Sequence, residues 1–164
     1  MNVKSMFLAL LAILVSGTLS VSFSQQMEAK LKQLTANADI IVTGKVSGNK
    51  SGWNNNKTRI FTEATLNVDE YLKGSNNGSS VVITYPGGEV NGVGELYTHM
   101  PKFADNEDVL VFLKKDEKGY KVFDGEEGKI RIIKDEKTGE AITSSNISIS
   151  HLKAQIKTYL TNKN

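Results

Sequence analysis

Between Arg59 and Leu72 the chain alternates. Ile60, Ala64, Leu66, Val68 and Leu72 are apolar at even positions, while Arg59, Glu63, Asn67 and Asp69 at odd positions are polar. A period of two puts one set on each side of an extended backbone, so this stretch predicts a long strand with one dry and one wet face. The turn cluster Lys73-Gly74-Ser75-Asn76-Asn77-Gly78 ends it. The strand before it, Asp39 to Val46, is β-branched and carries Gly44 midway, where the chain can bend. Length and a place to bend are what a sheet needs to curl round and close.

Shorter strands follow. Val81 to Tyr85 ends at Pro86-Gly87-Gly88. Val109 to Leu113 is apolar on both faces, which predicts a strand buried on both sides. Asp116 to Gly119 turns it into Tyr120 to Phe123. Lys129 to Ile133 alternates cations with isoleucines, and a turn at Asp135 to Gly139 pairs it with Glu140 to Thr143. Two segments lack a strand or helix period: Ser47 to Lys57, rich in Asn, Gly and Ser around Trp53, reads as a long loop or loose hairpin end, and Glu89 to Lys102 as a long irregular connection. Helical spacing occurs at the two ends. Met27, Leu31 and Leu34 lie on one face of Gln25 to Asn37; Ile149, Leu152, Ile156, Tyr159 and Leu160 line another over 148–162, with Ser148 placed to cap it. The fold class expected is mainly β, a small, partly open OB-like barrel of five strands plus a hairpin, with flanking N- and C-terminal helices. Leu66, Val68, Ile83, Val111 and Leu113 should face one core.

The first 24 residues read as an export signal. Lys4 precedes an apolar run from Met6 to Val15, and Ser22-Phe23-Ser24 supplies small residues where signal peptidase needs them, so cleavage is expected after Ser24. The run is shorter than the roughly 20 residues of a membrane span. The mature chain, 25–164, is then one domain, secreted or periplasmic, with no membrane association after cleavage. The absence of cysteine excludes both a lipid anchor through a thiol and any disulfide. Against 20 Lys+Arg and 18 Asp+Glu in the whole chain, loss of Lys4 leaves 19 and 18, a net charge of +1. The charges are interleaved, as in Lys114-Lys115-Asp116-Glu117-Lys118, and form no basic stripe that would follow a phosphate backbone, so nucleic acid is not an expected partner.

Four stretches resemble one another's counterparts in a known group: Ala38-Asp39-Ile40-Ile41-Val42-Thr43-Gly44-Lys45-Val46, Val68-Asp69-Glu70-Tyr71-Leu72-Lys73-Gly74, Pro86-Gly87-Gly88-Glu89-Val90, and Asn106-Glu107-Asp108-Val109-Leu110-Val111-Phe112-Leu113. Together they resemble a widespread group of uncharacterised secreted bacterial domains. In outline these are similar to the netrin-like, OB-fold barrels of tissue inhibitors of metalloproteinases. The resemblance, over about Ala38 to Ile133, implies the barrel. The inhibitors act through an N-terminal cysteine and several disulfides; this chain has no cysteine, so inhibition follows from fold analogy alone.

Reactive groups are few. His99 and His151 are the only imidazoles, and no Gly-x-Ser-x-Gly elbow exists. Pro86-Gly87-Gly88-Glu89 lacks the helix start and Gly-Lys-Ser/Thr of a phosphate cradle. Glu89, Glu95 and His99 lie in one irregular stretch, which neither fixes a zinc-ligand spacing nor splits two carboxylates into acid and base. Trp53, in a polar loop, either stacks on a ligand or packs over the barrel mouth. The expectation is therefore an exported, non-catalytic binding module for a protein or glycan, using Trp53, Glu89, Glu95 and His99, with no catalytic residue, metal or cofactor. The alternatives are a hydrolase using the loop carboxylates and the metalloprotease inhibitor already named.

Overall fold

A computed structural model describes residues 25–75, 78–117 and 119–162; the expected signal segment, residues 1–24, lies outside them. The chain divides into two units after Gln33. Residues 25–37 are helical (α1), and the unit from Leu34 onward contains the last turn of α1 and all the strands.

Two 14-residue strands dominate: β1, Ile40–Trp53, and β2, Ile60–Lys73. They are followed by β3 Ser80–Pro86, the short β4 Gly88–Val90 and β5 Val93–Glu95, β6 Asp108–Asp116, β7 Gly119–Val122, β8 Lys129–Lys134 and β9 Ala141–Ile142. Five of them close a ring in the order β1-β2-β3-β7-β6, with β6 pairing back onto β1 through Ile40↔Leu113 to Lys45↔Asp108. All these pairings are antiparallel except β3 with β7, a parallel contact at Ile83↔Tyr120. This is the small, five-stranded OB-like barrel that the strand lengths and the bend at Gly44 predicted.

Closure bends β1 hard. Its register against β2 slips at Ile41/Val42, Thr43/Gly44 and Val46/Gly48, and such irregularities add twist and curvature. At Gly44 a Cβ would overlap the Asn67 carbonyl, so only glycine lets the two backbones approach this closely.

The inside of the ring is filled by Val42, Val46, Ala64, Leu66, Val81, Ile83, Val109, Val111 and Leu113, with Val68 packed partly against them. The expected core is therefore in place. Ile41, Leu110 and Phe112 are buried too, on the opposite face of β1 and β6, which is why Val109 to Leu113 carries no polar position. On that outer side lies α2, Ile149–Thr161: its Lys153 and Lys157 reach Glu70, the β2 partner of Thr43. Ser148 stands at the N-cap of α2, but its hydroxyl pairs with Ser150 and makes no cap bond, contrary to expectation.

Of the two readings of Ser47 to Lys57 the hairpin end is the one found: Ser47 to Trp53 continues β1 and pairs with β2 up to Trp53↔Ile60. Its composition is polar, yet its partner β2 runs to Ile60 and supplies a ladder for it, reinforced by Ser47 Oγ donating to the Thr65 carbonyl and by the Ser51–Thr62 hydroxyl pair at 2.8 Å.

The stretches that carried the resemblance turn out to be joints. Asp39 accepts the Lys115 amide and the Lys114 ammonium, both at 2.9 Å, and these bonds hold its carboxyl below the ordinary carboxylate range. Lys73 Nζ donates to the carbonyls of Thr35, Ala36 and Ala38 at 2.8, 3.1 and 2.6 Å, capping the last turn of α1 with a cation. Gly74, at φ 65°, lies against Ile40 where a side chain would collide.

Candidate functional site

The link from β3 to β6, residues 87–107, crosses one end of the barrel as a strap, and its path is set by a few polar attachments. Gly87 donates its amide to the Ile60 carbonyl at 2.8 Å and accepts Thr62 Oγ1 at 2.7 Å. Gly88, at φ 125°, lies so close to the Ser51 and Thr62 hydroxyls that a Cβ would overlap both. Here β4 and β5 form a tight hairpin through Asn91 and Gly92, whose φ values of 52° and 79° are those of a type I′ turn.

Glu95 then locks the hairpin to the wall. Its Oε2 accepts the Ile60 amide and the Tyr97 hydroxyl, each at 3.0 Å. The bond to this carboxylate holds the Tyr97 phenol above its ordinary pKa, because losing the proton would set two anions together. Further on, His99 adopts φ 62° and its carbonyl accepts the Glu126 amide at 3.1 Å, beside Gly125 of the 3₁₀ turn Gly125–Gly128. Phe103 turns inward and plugs the barrel end, its ring 5.6 Å from that of Tyr85. Burial of Tyr85 raises its pKa.

The strap ends on a buried ion pair. Lys129 Nζ lies 2.8 Å from Glu107 Oε2, donates to the Lys102 carbonyl, and stands 4.8 Å from the Phe103 ring centre. The two side chains are only 12% and 6% exposed. Glu107 also accepts the Ala104 amide at 3.0 Å. Each charge is thus balanced and hydrogen-bonded, the condition under which a buried pair is tolerated.

Residues 96–102 form a ridge between two clefts. The first, about 540 Å³, is lined by Tyr85, Tyr97, Phe103, Met100 and the carboxylates Glu89 and Glu95, among others. The second, about 480 Å³, lies on the β8 side and is lined by His99, Glu107, Glu126, Lys129 and Arg131, with Leu96, Tyr97, Met100, Pro101 and Lys102 shared between the two.

The residues singled out from the sequence are thereby dispersed. Glu89 and Glu95 both line the first cleft, but Glu89 is paired with Gly94 and Glu95 with Gly88. Neighbouring pairs alternate faces, so the carboxylates leave the ribbon on opposite sides, which separates them as an acid/base couple. His99 belongs to the second cleft. Among the described residues no group of three or more His, Asp or Glu is placed to hold a metal ion. Trp53 ends β1 opposite Ile60, lines neither cleft and is 38% exposed.

Reading the sequence overlooked Tyr97, Phe103 and the Glu107–Lys129 pair. The signal for the hairpin was there in Val90-Asn91-Gly92-Val93, since Asn-Gly between apolar residues marks a two-residue turn. Nothing local distinguishes Lys129 from the other cations of β8. No protein-family model matches the chain, and no curated protein is significantly similar to it.

Proposed function

We propose that this chain is an exported, non-catalytic binding module whose ligand, a segment of protein or glycan, seats in the 540 Å³ cleft between the strap and the end of the barrel. One observation carries the reading: aromatic and apolar walls surround two carboxylates, one of them, Glu95, fixed by hydrogen bonds. Ligand sites have this make-up and fall in the range of about 300–1,000 Å³. Tyr97 is held in place by Glu95, whose other oxygen is left over; the exposed Glu89 also lines the cleft, its side chain leaving the other face of the ribbon. Rings with nearby carboxylates suit a ligand that presents hydroxyl or ammonium donors on an apolar body. Export rests on the sequence of residues 1–24.

The test uses protein recovered from outside the cytoplasm. Its intact mass should begin at Gln25. Amide signals of Tyr97, Glu89 and Met100 should then shift saturably with at least one member of a panel of oligosaccharides and peptides, and a folded Glu89→Ala, Tyr97→Ala variant should lose the response. A mass that includes residues 1–24, or shifts unchanged in the variant, would sink the corresponding half of the reading. Turnover of a panel member, abolished by Glu89→Ala, would replace binding by hydrolysis.

A further inference from the structure

The second cleft differs chemically from the first, and we propose that it is a separate binding site for a carboxylate carried on an apolar body. Arg131 and Lys129 are two apart on β8 and so share a face, opposite Val109 and Val111 of β6. Glu107 discriminates between them. Lys129 takes one carboxylate oxygen at 2.8 Å, whereas Arg131 Nε stands 3.7 Å from the other, an ion-pair distance beyond hydrogen-bond range. The guanidinium is therefore oriented by charge without a hydrogen bond to Glu107, and the Arg131 side chain, which lines the cleft, is 66% exposed.

Two more basic side chains stand on the rim, each fixed through its backbone. Lys102 gives its carbonyl to Lys129, and His99 gives its carbonyl to the Glu126 amide; both side chains are exposed. Glu107, already neutralised by Lys129 and 6% exposed, offers little repulsion to an incoming anion. Glu126, exposed on the same cleft, does oppose it. Between these groups rises an apolar crest, Leu96 at 73% exposure and Met100 at 38%. A planar fork of donors accepts a carboxylate through two parallel bonds, and the crest offers cover for the carbon chain behind it.

The probes are sodium hexanoate, sodium acetate and inorganic phosphate, titrated at constant ionic strength into the mature protein while the Arg131 Nε–H, His99 ring and Met100 methyl signals are followed by NMR. Hexanoate should shift all three saturably and bind about tenfold or more tighter than acetate, since its extra methylenes reach the crest. Arg131→Gln should weaken hexanoate about tenfold or more with the unfolding midpoint unchanged. Glu126→Gln should tighten it. No saturable shift, an unaltered affinity in Arg131→Gln, or phosphate binding more tightly than hexanoate would each overturn the assignment.

Discussion

In the barrel wall Val42, Ala64, Leu66, Ile83 and Val111 are shut off from water, and each strand borrows its shape from two neighbours. In the strap, by contrast, only Gly87, Pro101, Phe103 and the Glu107 side chain are buried, and its non-glycine residues Asn91, His99 and Asn106 sit at positive φ. The wall is held by area removed from water, a force without direction. The strap is held by directional bonds at a few points: Gly87 and Glu95 to Ile60, His99 to Glu126, Glu107 to Lys129. The difference shows how a small barrel carries two exposed clefts at one end. Apolar packing there would fill them, whereas point attachments keep the chain in place and leave surface open.

Leu66→Ala should show the largest effect. Its side chain is fully buried at the centre of the ring, so truncation should cost about 2–5 kcal/mol in denaturant unfolding. A variant as stable as the parent would break the account of the wall. Lys129→Met comes next. It leaves Glu107 buried with the Ala104 N–H and the largely exposed Arg131 at 3.7 Å, and should cost about 3 kcal/mol, with early hydrogen exchange at the Ala104 amide. If stability and exchange are both unchanged, the Phe103 plug alone holds the strap and the contrast with the wall disappears.

The smallest effect tests the outer surface. Hydrogen bonds from Lys153 and then Lys157 hold the Glu70 carboxyl below its ordinary value of 4.5. A depressed folded-state value means stability that is present above 4.5 and lost as pH falls through the folded-state value. Because these side chains are partly exposed, each pair should contribute about 0.2–1 kcal/mol. Glu70→Gln should therefore lower the unfolding midpoint slightly at neutral pH and flatten its fall in acid. An acid profile identical to that of the parent would show that α2 is held by Ile149, Leu152 and Ile156 alone.

The residues 59–72 alternation made β2 legible because burial on one face writes its period directly into the sequence. The apolar run of β6 and the period of α2 were legible for the same reason. Ser47 to Trp53 was not, since a strand whose partner supplies its ladder needs no apolar period of its own. The candidate site was legible only as an irregular stretch. Tyr97 and Glu95 meet within it, but Glu95 and Ile60 are 35 residues apart, and Glu107 and Lys129 are 22.

By itself, then, the sequence determined that this chain forms long two-faced strands that must curl to hide one side, framed by amphipathic helices. That much follows from burial, which acts on each residue according to its own chemistry. Tertiary structure alone decided which edges meet, among them β3 against β7 at Ile83↔Tyr120, and which charges become partners. It placed Glu89 and Glu95 on opposite faces, paired Glu107 with Lys129, and left Arg131 open. Hydrogen bonds and ion pairs depend on distance and angle between groups remote in the chain, and those exist only after the ring has closed.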